Sequence, residues 1–205
     1  MSAFVSVTSR ASSEMNGWKM PAESAPQDQV WMGFPSSSLA LGIDERGHHK
    51  IRTMLAAVAH AVAEFEPVTM VVDPSQISAA QSYLSTEIDL VEAPLNAPWM
   101  RDIGPTFVHN TDGSVVAIDW LFNGWGTQWP QLMADNEVGY FVAQRAGLPA
   151  MSSWLVNEGG GIQVDGEGTV LLTETVQLDH ARNPGITRAD VEDELARMLG
   201  TTHAV

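Results

Sequence analysis

The sequence predicts an α/β protein assembled from repeated strand–turn–strand–helix–strand units, and three observations lead there. β-branched runs alternate with stretches whose apolar residues recur at spacings of three and four. Two Asp-Gly turns, Asp112-Gly113 and Asp165-Gly166, each sit between short apolar runs and lie 53 positions apart. Each turn is followed by a loop, a helical pattern and a further apolar run, so the middle and last thirds read as two copies of one unit.

In chain order, residues 1–19 read as a disordered tail that includes the Ser-rich run Ser6 to Ser13, and residues 20–205 read as the folded domain. Val30 to Phe34 is a short strand ending at Pro35, and Pro35 to Gly47 is a polar loop. Ile51, Met54, Leu55, Val58, Val62 and Phe65 make one apolar helical stripe, which is expected to face the core and to close at Pro67. Val68 to Val72 is a β-branched strand, Asp73-Pro74 starts a second helix reaching about Leu84, and Ile88 to Ala93 is another strand.

The first repeat copy comprises Thr106 to His109, Ser114 to Asp119, a helix near Asn136 to Ala146 and a strand at Met151 to Val156. The second comprises Gly161 to Val164, Thr169 to Thr173, the loop Arg182-Asn183-Pro184-Gly185, a helix at Arg188 to Leu199 and a strand starting at Thr202. Thr187 and Asp190 suit a capping box at the last helix. A unit of this size cannot bury both faces alone, which points to a ring or array. Fewer than three copies can be counted, so the Gly161 to Val205 unit is expected to leave an apolar face open and to hold the least stable helix.

Composition narrows the function. Ten Lys and Arg against 25 Asp and Glu leave a formal charge of −15, which repels nucleic acid and anionic membranes and draws cationic ligands; solubility is the plainer account of the same charge. With 44% hydrophobic residues the chain is globular. No apolar run is long enough to span a bilayer, and no signal-peptide pattern opens the sequence, so a cytoplasmic location is expected. Cysteine is absent, which removes disulfides, thiolate metal sites and a cysteine nucleophile from these 205 residues.

Chemistry concentrates at Trp99-Met100-Arg101-Asp102-Ile103-Gly104-Pro105-Thr106-Phe107. Pro98 and Pro105 bias Ala97 and Gly104 away from helix, so Trp99 to Asp102 is expected to be extended or turning. For an arbitrary string of this kind, a core Trp beside a surface Arg101–Asp102 pair is the default. A second cluster, Asn157-Glu158-Gly159-Gly160-Gly161, offers backbone that can approach closely beside a lone carboxylate. Asp165-Gly166-Glu167-Gly168 lacks the alternating acidic ligands of a calcium loop and reads as a hairpin turn. Gly124-Trp125-Gly126-Thr127-Gln128-Trp129 is an aromatic loop that suits a pocket wall or a wedge between units.

Together WMRDIGPTF, NEGGG, DGEGT, Arg182-Asn183-Pro184 and the upstream Met20-Pro21-Ala22-Glu23 and Trp31-Met32-Gly33-Phe34-Pro35 resemble the agmatine deiminase and bacterial peptidylarginine deiminase family of the guanidine-modifying pentein superfamily. The resemblance covers about residues 20 to 205 and implies a pentein-type α/β propeller of five blades, of which about the first half is present. It implies an agmatine hydrolase giving N-carbamoylputrescine and ammonia, with neither cofactor nor metal. By resemblance Asp102 and Glu158 are the catalytic carboxylates, and Trp99, Asp102, Glu158, Gly159 and Gly160 bind the small cationic guanidino substrate. The physical fit is direct: a guanidinium is a planar fork of donors that carboxylates hold from its edges, and an indole face adds a cation–π contact.

The family's cysteine nucleophile and Gly-His-x-Asp motif are missing. The six histidines lie at 48, 49, 60, 109, 180 and 203, and none has an Asp two positions later. Gln163 stands where many relatives have a histidine. The polypeptide is therefore expected to be an inactive fragment, with a homo-oligomer or a complementing C-terminal half as possible partners. Two alternatives stay open: a non-catalytic module that binds guanidinium groups or polycations, and a peptidylarginine or arginine deiminase.

Overall fold

The computed structural model describes residues 17–36 and 44–205, and these form three separate three-stranded sheets. The first holds β1 (Val30–Gly33), β2 (Val68–Val72) and β3 (Asp89–Glu92), all parallel, with β2 in the middle. All five residues of β2 are buried, as expected for a central strand covered on both faces. Helix α1 (Glu45–Ala63) connects β1 to β2, and a 3-10 turn leading into α2 (Ile77–Tyr83) connects β2 to β3.

The second and third sheets share one plan. A hairpin of β4 (Thr106–His109) and β5 (Val115–Leu121) is joined in parallel by β6 (Ala150–Val156). A hairpin of β7 (Ile162–Val164) and β8 (Thr169–Leu172) is joined in parallel by β9 (His203–Ala204). Short helix α3 (Met100–Ile103) precedes β4, α4 (Val138–Arg145) lies between β5 and β6, and one-turn α5 (Glu174–Gln177) and α6 (Arg188–Leu199) lie between β8 and β9. Gly113 and Gly166 take positive φ in the two hairpin turns, which is the reason Gly follows Asp there.

Four expectations need correction. Three sheets exist where the turn spacing counts fewer than three copies, because the first sheet is wholly parallel and carries no Asp-Gly hairpin to mark it. Helix α1 starts at Glu45, capped by Asp44, so it takes over the end of the loop expected at Pro35 to Gly47; residues 37–43 of that loop lie outside the described residues. The buried face of α1 is Ala56 and Ala59, while Met54, Val58 and Phe65 are exposed at 58%, 47% and 86%. Of the expected stripe, Val62 packs against this core and Ile51 and Leu55 are half-buried, so the stripe lies at the edge of the buried face and not at its centre.

The fourth concerns α6. Thr187 and Asp190 form the capping box, Gly200 closes the helix in the left-handed conformation, and Val191, Leu195, Met198 and Leu199 are at most 1% exposed. The helix packs back on its own sheet and on β6, where Ser153 Oγ donates to buried Glu194 (2.6 Å). Its packing therefore rests on β6 and the shared core as well as on β9, which corrects the expectation of a helix left without side-chain anchorage. Apolar surface does remain open nearby, with Leu171 56% and Val205 66% exposed.

Of the tail expected at 1–19, residues 1–16 lie outside the described residues, whereas Trp18 and Lys19 are held in place. Lys19 forms an antiparallel bridge with His109, and Met20 N–H donates to Leu199 O (3.0 Å). Trp18 and Met20 pack into the core shared by the second and third sheets, so this segment straps the two together.

Candidate functional site

Trp99 to Gly104 is anchored through the residues just before it. Upstream, buried Asp135 accepts from the Asn96 and Ala97 amides and the Asn96 side chain, all at 2.9 Å, which fixes the approach to Trp99. Burial raises the Asp135 pKa, and these three donors oppose the shift. The segment then makes the single helical turn α3, with Asp102 and Ile103 N–H donating to Trp99 O. The expected turn is thus helical, and the proline restriction falls on Ala97 and Gly104 at its flanks, with Gly104 extended.

Arg101 and Asp102 do not pair as the default reading has it. Arg101 reaches Glu23 of the upstream motif at 2.7 and 2.8 Å, and that hydrogen-bonded pair lowers the Glu23 pKa and raises that of Arg101. Asp102 turns the other way, where Oδ1 accepts from Gly160 N–H (3.0 Å) and Oδ2 from the Trp125 indole N–H (3.1 Å).

The Gly160 contact brings the two motifs together and explains two of the glycines. A Cβ on Gly159 would collide with the Arg101 carbonyl oxygen, and one on Gly160 with Asp102 Oδ1. Glu158, two residues past the end of β6, is 3% exposed. Arg182 donates through Nε to both its carboxylate oxygens, at 2.9 and 3.2 Å, and through Nη1 to Asp179 (2.7 Å). Burial raises the Glu158 pKa foremost; Arg182 opposes that shift, and the Asp102 and Asp179 charges add to it. Neither carboxylate is unpaired, since Asp102 accepts from Gly160 and Trp125 and Glu158 accepts from Arg182.

Trp99, 41% exposed, meets Trp125 edge to face, with ring centroids 5.7 Å apart and planes at 87°. Trp125 in turn packs edge to face on Phe122 at 5.0 Å. Trp125 and Thr127 both hold positive φ, 55° and 62°, a conformation unfavourable for such side chains. The loop thus aims the indole N–H at Asp102, and two indoles at right angles stand beside that carboxylate. Asn123 steadies the turn by accepting from Gly126 N–H (2.9 Å) and donating to Ala181 O (2.9 Å).

Arg182 is what the sequence reading missed as a site residue, and it placed Trp125 only as part of a loop suited to a pocket wall or a wedge. Arg182 sits in a motif already singled out, but nothing in one sequence says which carboxylate it will find. The chemical capacity of the arrangement is cation binding: an acidic group with an aromatic wall, in a strongly acidic protein. No group of three metal-binding side chains occurs among the described residues.

Comparison with known proteins identifies relatives. The model of the Porphyromonas-type peptidyl-arginine deiminase family matches residues 19–205. A Streptomyces coelicolor protein named "Putative agmatine deiminase" is 50% identical over 189 residues, which is 92% of this chain and 56% of that protein. An agmatine deiminase of Pseudomonas savastanoi pv. phaseolicola is 39% identical over 196 residues, 93% of this chain and 52% of that one. A solved structure of the agmatine deiminase of Enterococcus faecalis superposes with a TM-score of 0.85 at 32% identity, covering 92% of this chain and 52% of that chain. The fold is the α/β propeller of these structures, and the chain spans about half the length of the curated relatives it matches.

Proposed function

This chain belongs to the Porphyromonas-type peptidyl-arginine deiminase family, and from that premise we propose that its Trp99–Asp102–Glu158 cleft receives the guanidinium end of agmatine. The reaction served is hydrolysis of agmatine to N-carbamoylputrescine and ammonia, the reaction implied by the resemblance, and relatives named agmatine deiminase support it. The observation that supports this reading is the Gly160 N–H bond to Asp102, which brings the WMRD and NEGGG motifs into contact.

Within it, Asp102 accepts from the guanidinium N–H groups while Trp125 and Gly160 hold its carboxylate in orientation. Trp99 offers its exposed indole to the planar cation. Glu158 acts as a fixed acidic neighbour, held by Arg182, and Gly159 and Gly160 admit the close approach of its loop to α3. The boundary of this unit lies near residue 20, with the strap at Trp18 to Met20 belonging to it.

Cleavage of the guanidinium C–N bond calls on a cysteine thiolate by the resemblance, and the 205 residues contain no cysteine. These residues therefore supply binding and orientation, and by themselves they are expected to release no ammonia from agmatine above a protein-free blank. The test is an amide and indole NMR titration of the chain with agmatine. The Gly160 amide and the Trp125 indole signal are expected to shift together and saturably; shifts confined to other regions would remove the site.

A further inference from the structure

Helix α1 carries a second apolar face that its own sheet does not use. Gly47, Ile51, Met54, Val58 and Ala61, with Phe65 in the turn just past the helix end, follow spacings of four, three, four, three and four, the a/d pattern by which helices pack in pairs. Helical geometry places this seam opposite the buried Ala56 and Ala59. Ile51 and Gly47 are half-buried at its edge, and Met54, Val58, Ala61 and Phe65 are exposed.

We propose that this seam is an interface on which a second copy of the chain pairs α1 against α1, antiparallel, about a two-fold axis that crosses the seam at the level of residue 56. Size matching favours that arrangement. With the axis there, Phe65 of one copy lies over Gly47 of the other, Ile51 over Ala61, and Met54 over Val58, so large side chains meet small ones. Glycine is disfavoured within a helix, and here it leaves the notch that the most exposed aromatic residue fills.

Charge supports the same direction and register. Arg46 and Lys50 stand on one flank of the seam in the N-terminal half of α1, and Glu64 stands on the same flank just past its C-terminal end. All three are exposed. A two-fold axis perpendicular to the pair keeps each flank facing itself, so Lys50 of one copy meets Glu64 of the other on both sides. A single helix pair buries less than a standard-size interface, so the association is micromolar rather than nanomolar.

The experiment is sedimentation equilibrium of the chain at rising concentration, with variants on the seam. The weight-average mass is expected to rise from 22.1 kDa toward twice that value at hundreds of micromolar. Val58→Asp should keep the chain folded and monomeric, Lys50→Glu should weaken pairing about tenfold, and Lys50→Glu with Glu64→Lys should restore it. In this cysteine-free chain, Ala57→Cys should form a disulfide-linked dimer on mild oxidation, while Thr175→Cys, exposed on another element, should not. A chain that stays at 22.1 kDa would overturn the proposal. So would association that survives Val58→Asp, which would place the contact at another surface such as the open β8–β9 face, or an Ala57→Cys chain that cross-links no faster than Thr175→Cys.

Discussion

Arg182 Nε donates to both carboxylate oxygens of Glu158, at 2.9 and 3.2 Å, with the two side chains only 9% and 4% exposed. The protein thus places a guanidinium of its own on a carboxylate read from the sequence as a substrate ligand. Removing one partner of a buried pair strands the other. Arg182→Met is therefore expected to cost about 3–5 kcal/mol in urea unfolding. Glu158→Gln should cost clearly less, because Arg182 keeps Asp179 and the amide oxygen still accepts. Equal losses from the two variants would contradict this ordering.

Trp125→Phe keeps an aromatic ring against Trp99 and Phe122 but removes the indole donor to Asp102. A hydrogen bond to a charged group contributes about 1.5–3 kcal/mol, only part of which bears on ligand binding. Agmatine affinity is expected to fall roughly threefold to tenfold with thermal stability nearly unchanged. Calorimetric titration and a melting curve on the same variant check both halves.

Gly160→Ala forces a methyl group against Asp102 Oδ1, which can swing, whereas Gly159→Ala forces one against the fixed Arg101 carbonyl. The first variant should fold and lose agmatine binding. The second should lose stability by about 1–3 kcal/mol, the usual cost of overpacking. Denaturant midpoints for the pair decide it, and a Gly160→Ala chain that binds normally would show that Asp102 tolerates displacement.

Asp119, half-buried on β5, has its pKa raised to about 6 by burial first and by the Glu137 charge second. The folded state binds the proton more tightly than the unfolded chain, so stability contributed by this group is present below about pH 4 and declines as pH rises toward 6. Discounted for solvent screening at a half-exposed site, the loss is about 1 kcal/mol. Asp119→Asn should flatten the dependence of melting temperature on pH across that window and raise stability at pH 7. An unchanged profile would show that Asp119 is solvated in both states.

The elements most legible in the sequence are those with local causes. The capping box at Thr187 and Asp190, the two Asp-Gly hairpins and the strand Val68–Val72 follow from neighbouring residues alone. The glycines of NEGGG were legible as close-approach backbone, though not which neighbour they would meet. Contacts across long separations were not legible: Arg182 with Glu158, Arg101 with Glu23, and Trp125 with Asp102 depend on where the chain returns in space. Helix α1 misled for another reason. Apolar periodicity marks a face without saying whether that face meets the sheet or solvent, and the buried face centres on Ala56 and Ala59.

The central claim is that Asp102 holds a guanidinium, and calorimetric comparison of agmatine with putrescine tests it most directly, since putrescine presents an amine where agmatine carries the guanidinium. The chain is expected to bind agmatine at least tenfold more tightly, about 1.4 kcal/mol, and Asp102→Asn should abolish that preference while leaving the fold intact. Equal affinities for the two amines, or a preference that persists in Asp102→Asn, would contradict the account.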